Sequence, residues 1–283
     1  MSAPHHELAA RLHALCDAQP FTTSWSMKNL RSGDTLHRAG NKPTPSASTR
    51  KIAYLMAALR DVHAGRLDLR EPVVADERLM QGVVSGVLYF MTPGLTFPLR
   101  DALVQMIITS DNVCTSLVGE RVTLRGLNDF CQSIGMKGTV IRHIVPPRDM
   151  PADSDFDFVA ETTPQDQVAL LQWILDGTTD AQAAGRMGVT PQLCRMAIDI
   201  LSWQRHRNLI PGLLPIDAKV ANKTGTGRNG MMDAGIVYRD GVPLFILAAY
   251  TDKVPWTLPD GLPGHAAAIE TIARLARACW EMC

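Results

Sequence analysis

Ser48-Thr49-Arg50-Lys51-Ile52-Ala53-Tyr54-Leu55-Met56-Ala57-Ala58-Leu59 decides the reading of this chain. Ile52, Leu55, Met56 and Leu59 recur at helical spacing and predict a helix from about Thr49 to Ala64. Three residues along a helix bring Lys51 onto the face of Ser48. A serine hydroxyl becomes a nucleophile when a neighbouring base takes its proton, and a lysine serves once its pKa is lowered. The helix start adds backbone N–H groups suited to a developing oxyanion. An N-capping serine followed by a surface lysine would give the same four letters.

Working outward, β-prone stretches at about Phe21–Met27 and Thr35–Arg38 flank a turn through Asn29–Asp34, which predicts a hairpin. Leu8, Leu12 and Leu15 predict a helix ending before Pro20. From Ala64 to about Arg207 the signals are mostly helical, with apolar periodic runs at Leu99–Thr109 and Gln165–Leu175. After Lys219 the pattern returns to strands: Met232–Tyr238, an Asp240-Gly241 turn, then Val242–Tyr250. A last helix covers about His265–Trp280. The stretch from Pro146 to Thr163 is the irregular piece, rich in proline and acidic residues. A structureless loop of that length is uncommon unless it has a role.

Two further short stretches carry chemistry. Ser110-Asp111-Asn112 follows the apolar helix ending Met106-Ile107-Ile108-Thr109, and Lys223-Thr224-Gly225-Thr226-Gly227 precedes the last strand pair. Alone, the first reads as a helix cap and the second as a strand entering a turn. Together with Ser48-x-x-Lys51 they form the ordered set S-x-x-K, S-D-N and K-T-G. The chain therefore resembles the penicillin-recognising serine hydrolases, most closely their class A β-lactamase branch. The likeness extends to Thr92-Pro93-Gly94-Leu95 before the S-D-N helix and to Thr162-Thr163-Pro164 opening a later one.

The resemblance implies an α/β (α+β) sandwich: an antiparallel sheet built from both chain ends, flanked by helices, with an inserted helical lobe. The expected organisation is a single β-lactamase-like domain, residues 1–283, its sheet lobe at about 1–64 and 208–283 and its helical lobe at about 65–207. It also implies an acyl-enzyme route. Ser48 would attack an amide or lactam carbonyl, activated by Lys51, and Ser110 would pass the proton to the leaving nitrogen. Lys223 would hold a substrate carboxylate and polarise Ser110. Asn112, Thr224 and Thr226 would contact substrate, and the N–H groups of Ser48 and Thr226 would form the oxyanion hole. Asp111 would support its turn. Tyr89 or Phe90 is a candidate cleft wall, and Arg228 a candidate carboxylate binder.

The sequence departs from the class A pattern in its deacylation machinery. That branch holds the hydrolytic water with a glutamate in a Glu-x-x-Leu-Asn stretch. The corresponding loop here, from Pro146 to Asp157, contains no glutamate before Glu161, and the family's spacing lands near Pro147. Six positions after the S-D-N serine, where the family places an asparagine, stands Ser116. Asp149, Asp153 and Asp155 are the candidate replacement bases. The expectation is a serine hydrolase cleaving a small amide or lactam C–N bond, a metabolic or biosynthetic amidohydrolase with atypical deacylation. The alternatives are a true class A β-lactamase, a D-alanyl peptidase or penicillin-binding protein, and a non-catalytic ligand sensor.

Composition agrees with a small-molecule enzyme. In 283 residues, 28 Lys plus Arg balance 28 Asp plus Glu, so the net charge is zero and the excess of basic charge that nucleic-acid binding demands is missing. No apolar run approaches the roughly 18–20 residues of a membrane span. The N-terminal stretch, broken by His5, His6, Glu7, Arg11 and His13, does not read as a secretion signal, so the expected location is cytoplasmic, or periplasmic or secreted if a leader has been removed. No metal is expected, because no histidine pair has ligand spacing, and no other cofactor. The six cysteines, irregularly spaced and without a C-x-x-C pair, are read as free buried thiols.

Overall fold

A computed structural model describes residues 3–81, 85–147 and 158–283. Among the described residues, five strands form one antiparallel sheet in the order β2-β1-β10-β9-β8. They are β1 (Thr22–Asn29), β2 (Thr35–Arg38), β8 (Val220–Gly227), β9 (Gly230–Arg239) and β10 (Val242–Asp252). β1 from the start of the chain pairs with β10 from its end, Trp25 opposite Ala249, so both ends build one sheet. The expected sandwich is the observed fold.

Both faces of the sheet are covered, which explains why its inner strands read as continuous apolar runs. Along β10, alternate side chains point opposite ways. Phe245, Leu247 and Ala249 pack into a core with α1 (Ala3–Asp17) and α10 (Gly264–Met282), where they meet Leu12, Ile272 and Leu275. Ile246, Ala248 and Tyr250 enter the larger core on the other face. At the centre of that core is α2 (Lys51–His63), whose residues from Lys51 to Leu59 are all buried. A helix apolar on every side is one surrounded by other elements. Here those include α4 (Leu99–Ile108), α5 (Asn112–Val122), α6 (Leu124–Ser133) and α9 (Pro191–Ser202).

The sequence reading took the middle of the chain as mostly helical, and the structure adds short strands to it. β4 (Pro72–Ala75) pairs with β5 (Leu95–Pro98), while β7 (Ala160–Thr162) lies between β3 (Thr44–Pro45) and β6 (Val140–Ile141). Two to four residues are too few for a period-2 pattern, and proline edges mask the rest. α7 (Pro164–Gly177) starts where the Thr-Thr-Pro signal put it: Thr163 accepts from Asp166 N and Pro164 occupies the first turn. Among the described residues no helix is long and apolar enough to cross a membrane. The six cysteines are free, five of them buried and Cys283 partly so.

Candidate active site

Ser48 lies in a 3-10 helix, Ala47–Arg50, that runs directly into α2, so the expected helix start is preceded by one tighter turn. This turn is pinned from two sides. Ser46 N donates to Ala160 O at 3.0 Å, and Thr49 Oγ1 accepts from the buried Tyr250 hydroxyl at 3.0 Å. Ala47 has φ +40° and Ser110 has φ +57°, both in the left-handed region that costs non-glycine residues energy.

The Ser110 turn is fixed by Asp111. Its Oδ1 caps α5 by accepting from Cys114 N at 3.0 Å, and its Oδ2 accepts from Val87 N and Leu88 N at 2.8 and 2.9 Å. The preceding segment closes the turn: Ser85 Oγ donates to Ser110 O at 2.8 Å, and Asn112 N donates to Ser85 O at 3.0 Å. Gly86, at φ +89°, lies so close that a Cβ there would come within 2.3 Å of Asp111. Asp111 therefore faces the turn, as expected.

Lys51 is fully buried and bridges the two motifs. Its Nζ donates to Ser110 O at 2.7 Å, Asn112 Oδ1 at 2.9 Å and Ser110 Oγ at 3.2 Å. Burial, then the neighbouring charges of Lys223 and Arg50, push its pKa well below the ordinary lysine range. Among the described residues its hydrogen bonds go to the Ser-Asp-Asn turn rather than to Ser48.

Lys223 comes from β8 and donates to Thr224 O at 2.8 Å. Burial pulls its pKa down to about 7, against the Asp233 carboxylate, which pulls upward; Arg50 adds to the lowering. Asp233, on the neighbouring strand, is itself pushed up to about 6 by burial. It accepts from Asn222 Nδ2 at 3.0 Å on each oxygen and from Ile210 N at 3.0 Å. Gly225 lets β8 approach the nucleophile turn: a Cβ there would lie 3.1 Å from Ala47 Cβ and 3.2 Å from Ser48 N.

These elements enclose a cavity of about 240 Å³ lined by Ser48, Ser110, Thr224 and Thr226, and also by His206 and Asn208. The last two were invisible in the sequence, because they sit on an irregular segment after α9 with no motif around them. Burial, then Lys223, holds the His206 imidazolium below the usual histidine range. A second cavity of about 190 Å³ adjoins Asn112 and contains Ser116 and Glu120, the latter held by Arg78 Nη1 at 2.7 Å. Tyr89 and Phe90 stack edge to face at 5.2 Å on the segment that Asp111 anchors and do not line the 240 Å³ cavity. Arg228 occupies the β8–β9 turn, where its carbonyl lies 3.0 Å from His265 Nε2. Asp149, Asp153 and Asp155 lie outside the described residues.

Comparison with known proteins agrees with this geometry. The Beta-lactamase enzyme family matches residues 7–283. The extended-spectrum beta-lactamase PER-1 of Pseudomonas aeruginosa is 25% identical over 219 residues, 74% of this chain and 68% of its own. The structure of PBP-A is similar at a TM-score of 0.81 and 25% identity, covering 97% of this chain and 95% of that one. A beta-lactamase from Sphaerobacter thermophilus superposes at 0.81 and 24% identity over the same shares. A single-substitution variant of PBP-A, solved as an acyl-enzyme complex with penicillin G, superposes at 0.80 and 24% identity over 98% of this chain and 96% of its own. The chain thus belongs to the beta-lactamase enzyme family, as a β-lactamase-like serine hydrolase.

Proposed function

We propose that the protein opens a small amide or lactam C–N bond through an acyl-Ser48 intermediate and that its deacylation is atypical. The observation that carries this reading is the Lys51 ammonium nitrogen joined to Ser110 and Asn112 beside a cavity lined by Ser48, Thr224 and Thr226. In its neutral form Lys51 takes the Ser48 proton as Oγ adds to the substrate carbonyl. The N–H groups of Ser48 and Thr226 receive the oxyanion. Ser110 Oγ delivers a proton to the leaving nitrogen as the C–N bond breaks and is reprotonated from Lys51. Charged Lys223 holds a substrate carboxylate, and Asn112 Nδ2, without a partner among the described residues while Oδ1 accepts from Lys51, donates to a substrate amide. Tyr89, on the segment that Asp111 anchors, and Arg228, in the β8–β9 turn, lie outside the cavity lining and would meet only a substrate that extends beyond it.

Water must then attack the ester. The loop glutamate of class A enzymes is missing, and Ser116 stands where its asparagine partner would be. We assign the base to Asp149, Asp153 or Asp155, whose shorter side chains require a different loop path from a glutamate. The reading is tested by stopped-flow mixing with a chromogenic cephalosporin. A stoichiometric burst followed by slow turnover is expected. Fast linear turnover without a burst makes the protein a true β-lactamase and refutes the atypical deacylation. No burst, no turnover and no turnover of simple amides refutes the hydrolase reading.

A further inference from the structure

Arg50 stands between the nucleophile and the lysine of S-x-x-K. Its side chain is buried, 4% exposed. Among the described residues no carboxylate pairs with it. Nη1 donates to Ala47 O, Nη2 donates to Ile144 O at 3.3 Å, and Nε has no partner. A buried guanidinium whose partners are two carbonyls and the neighbouring Tyr54 hydroxyl, with no carboxylate among the described residues, is unfavourable on solvation grounds, so its neighbours are informative.

The nearest of them is one end of a particular peptide unit. Ala47 C=O and Ser48 N–H belong to the same planar amide, coupled by resonance. A cation that donates to the carbonyl draws electron density through that unit and makes the N–H at its other end a stronger donor. The same bond holds the orientation of the peptide, which matters because Ala47 occupies the strained left-handed region at φ +40°. On the opposite side the amide is packed by β8, where a methyl group on Gly225 would lie 3.1 Å from Ala47 Cβ and 3.2 Å from Ser48 N, so that the amide would have to give by a few tenths of an ångström.

We propose that Arg50 is a positioning residue for the oxyanion hole: bound to the Ala47 carbonyl, it orients and polarises the Ala47–Ser48 amide so that Ser48 N–H stabilises the anionic oxygen more strongly. The proposal rests on Ser48 as the nucleophile. The surrounding charges agree with it. Lys51 faces Lys223, Arg50 and Asp111, and Lys223 faces Asp233 and Arg50; the guanidinium contributes to lowering both lysines. One buried charge therefore acts on the electrophilic and the basic side of the same step.

The test uses an arylboronic acid as well as a penicillin. Ser48 Oγ adds to trigonal boron, one B–O bond forms, the serine proton goes to Lys51 and nothing leaves. One boron hydroxyl of the resulting tetrahedral anion occupies the oxyanion site. Titration calorimetry compares wild type with Arg50→Lys, Arg50→Gln, Arg50→Met and Ser48→Ala, alongside thermal unfolding. Boronate affinity is expected to fall about tenfold in Arg50→Met, the order of one charge-assisted hydrogen bond acting through a peptide, with Arg50→Lys above Arg50→Gln. In the penicillin acyl-enzyme, the infrared band of the ester carbonyl is expected at higher frequency in Arg50→Gln than in wild type, a signature that a purely structural role would not move.

If Arg50→Met does not fold, the order of the Lys and Gln variants and their carbonyl bands decide the matter. Wild-type affinity and an unshifted band in folded Arg50→Gln overturn the proposal and leave the lactam reading intact. Arg50-dependent boronate binding without any penicillin adduct supports the proposal and removes the lactam reading. Boronate binding that is absent, or unchanged in Ser48→Ala, overturns the proposal.

Discussion

Replacing Asp111 by alanine tests how the Ser110 turn is held. The carboxylate accepts three backbone bonds, from Cys114 N, Val87 N and Leu88 N, and is wholly buried. Loss of the helix cap costs about 1 kcal/mol. Each of the two remaining N–H groups, left buried without an acceptor, costs about 1–3 kcal/mol. Water entering the space vacated by the carboxylate recovers part of this, so Asp111→Ala is expected to lose about 4 kcal/mol. Asn keeps one acceptor but turns an NH2 group toward a backbone donor, and should lose about half as much. Urea unfolding with an unchanged slope gives the stability, and hydrogen exchange at Val87, Leu88 and Cys114 localises it. The reasoning is refuted if Asp111→Ala costs under about 1 kcal/mol while those three amides stay protected.

Two other perturbations probe the site. Gly225→Ala forces a methyl against Ala47 and Ser48 N, and should cost about 1–2 kcal/mol while slowing acylation about 100-fold; an unchanged acylation rate in the folded variant contradicts the close approach. Lys223, lowered to about 7, is mostly neutral at about pH 8, and a bound carboxylate favours its charged form. Binding a carboxylate ligand at about pH 8 should therefore take up a proton, and the uptake should shrink toward about pH 5.5 as Lys223 becomes charged in the free protein, leaving only what Asp233, itself pushed up to about 6, contributes. Calorimetry in buffers of different ionisation enthalpy reads this directly, and identical heats at the higher pH refute it.

The motif residues were legible because the chemistry constrains their spacing. Ser48 and Lys51 lie one helical turn apart, and Ser110 follows a helix whose apolar face is easily read. The long helices and the β9–β10 hairpin were legible for the same reason: their burial repeats along the chain. β4 and β5 were not, since four residues with proline edges carry no period. His206 and Asn208 reach the cavity only through the tertiary path after α9, which leaves no local trace. Arg50 was in plain view within the motif, but a charge in a helix start reads as solvated until the structure shows it buried. Tyr89 and Phe90 had the right segment and lie outside the cavity lining, because Asp111 directs that segment through its backbone rather than its rings.

The central claim is that Ser48 forms a covalent acyl intermediate. Intact-protein mass spectrometry after mixing with a panel of penicillins and cephalosporins tests it most directly, with peptide mapping of any adduct. The account predicts a mass increase equal to the whole lactam on wild type, located on Ser48, absent from Ser48→Ala and persisting because deacylation is slow. An adduct on another residue, or one that also forms on Ser48→Ala, contradicts it.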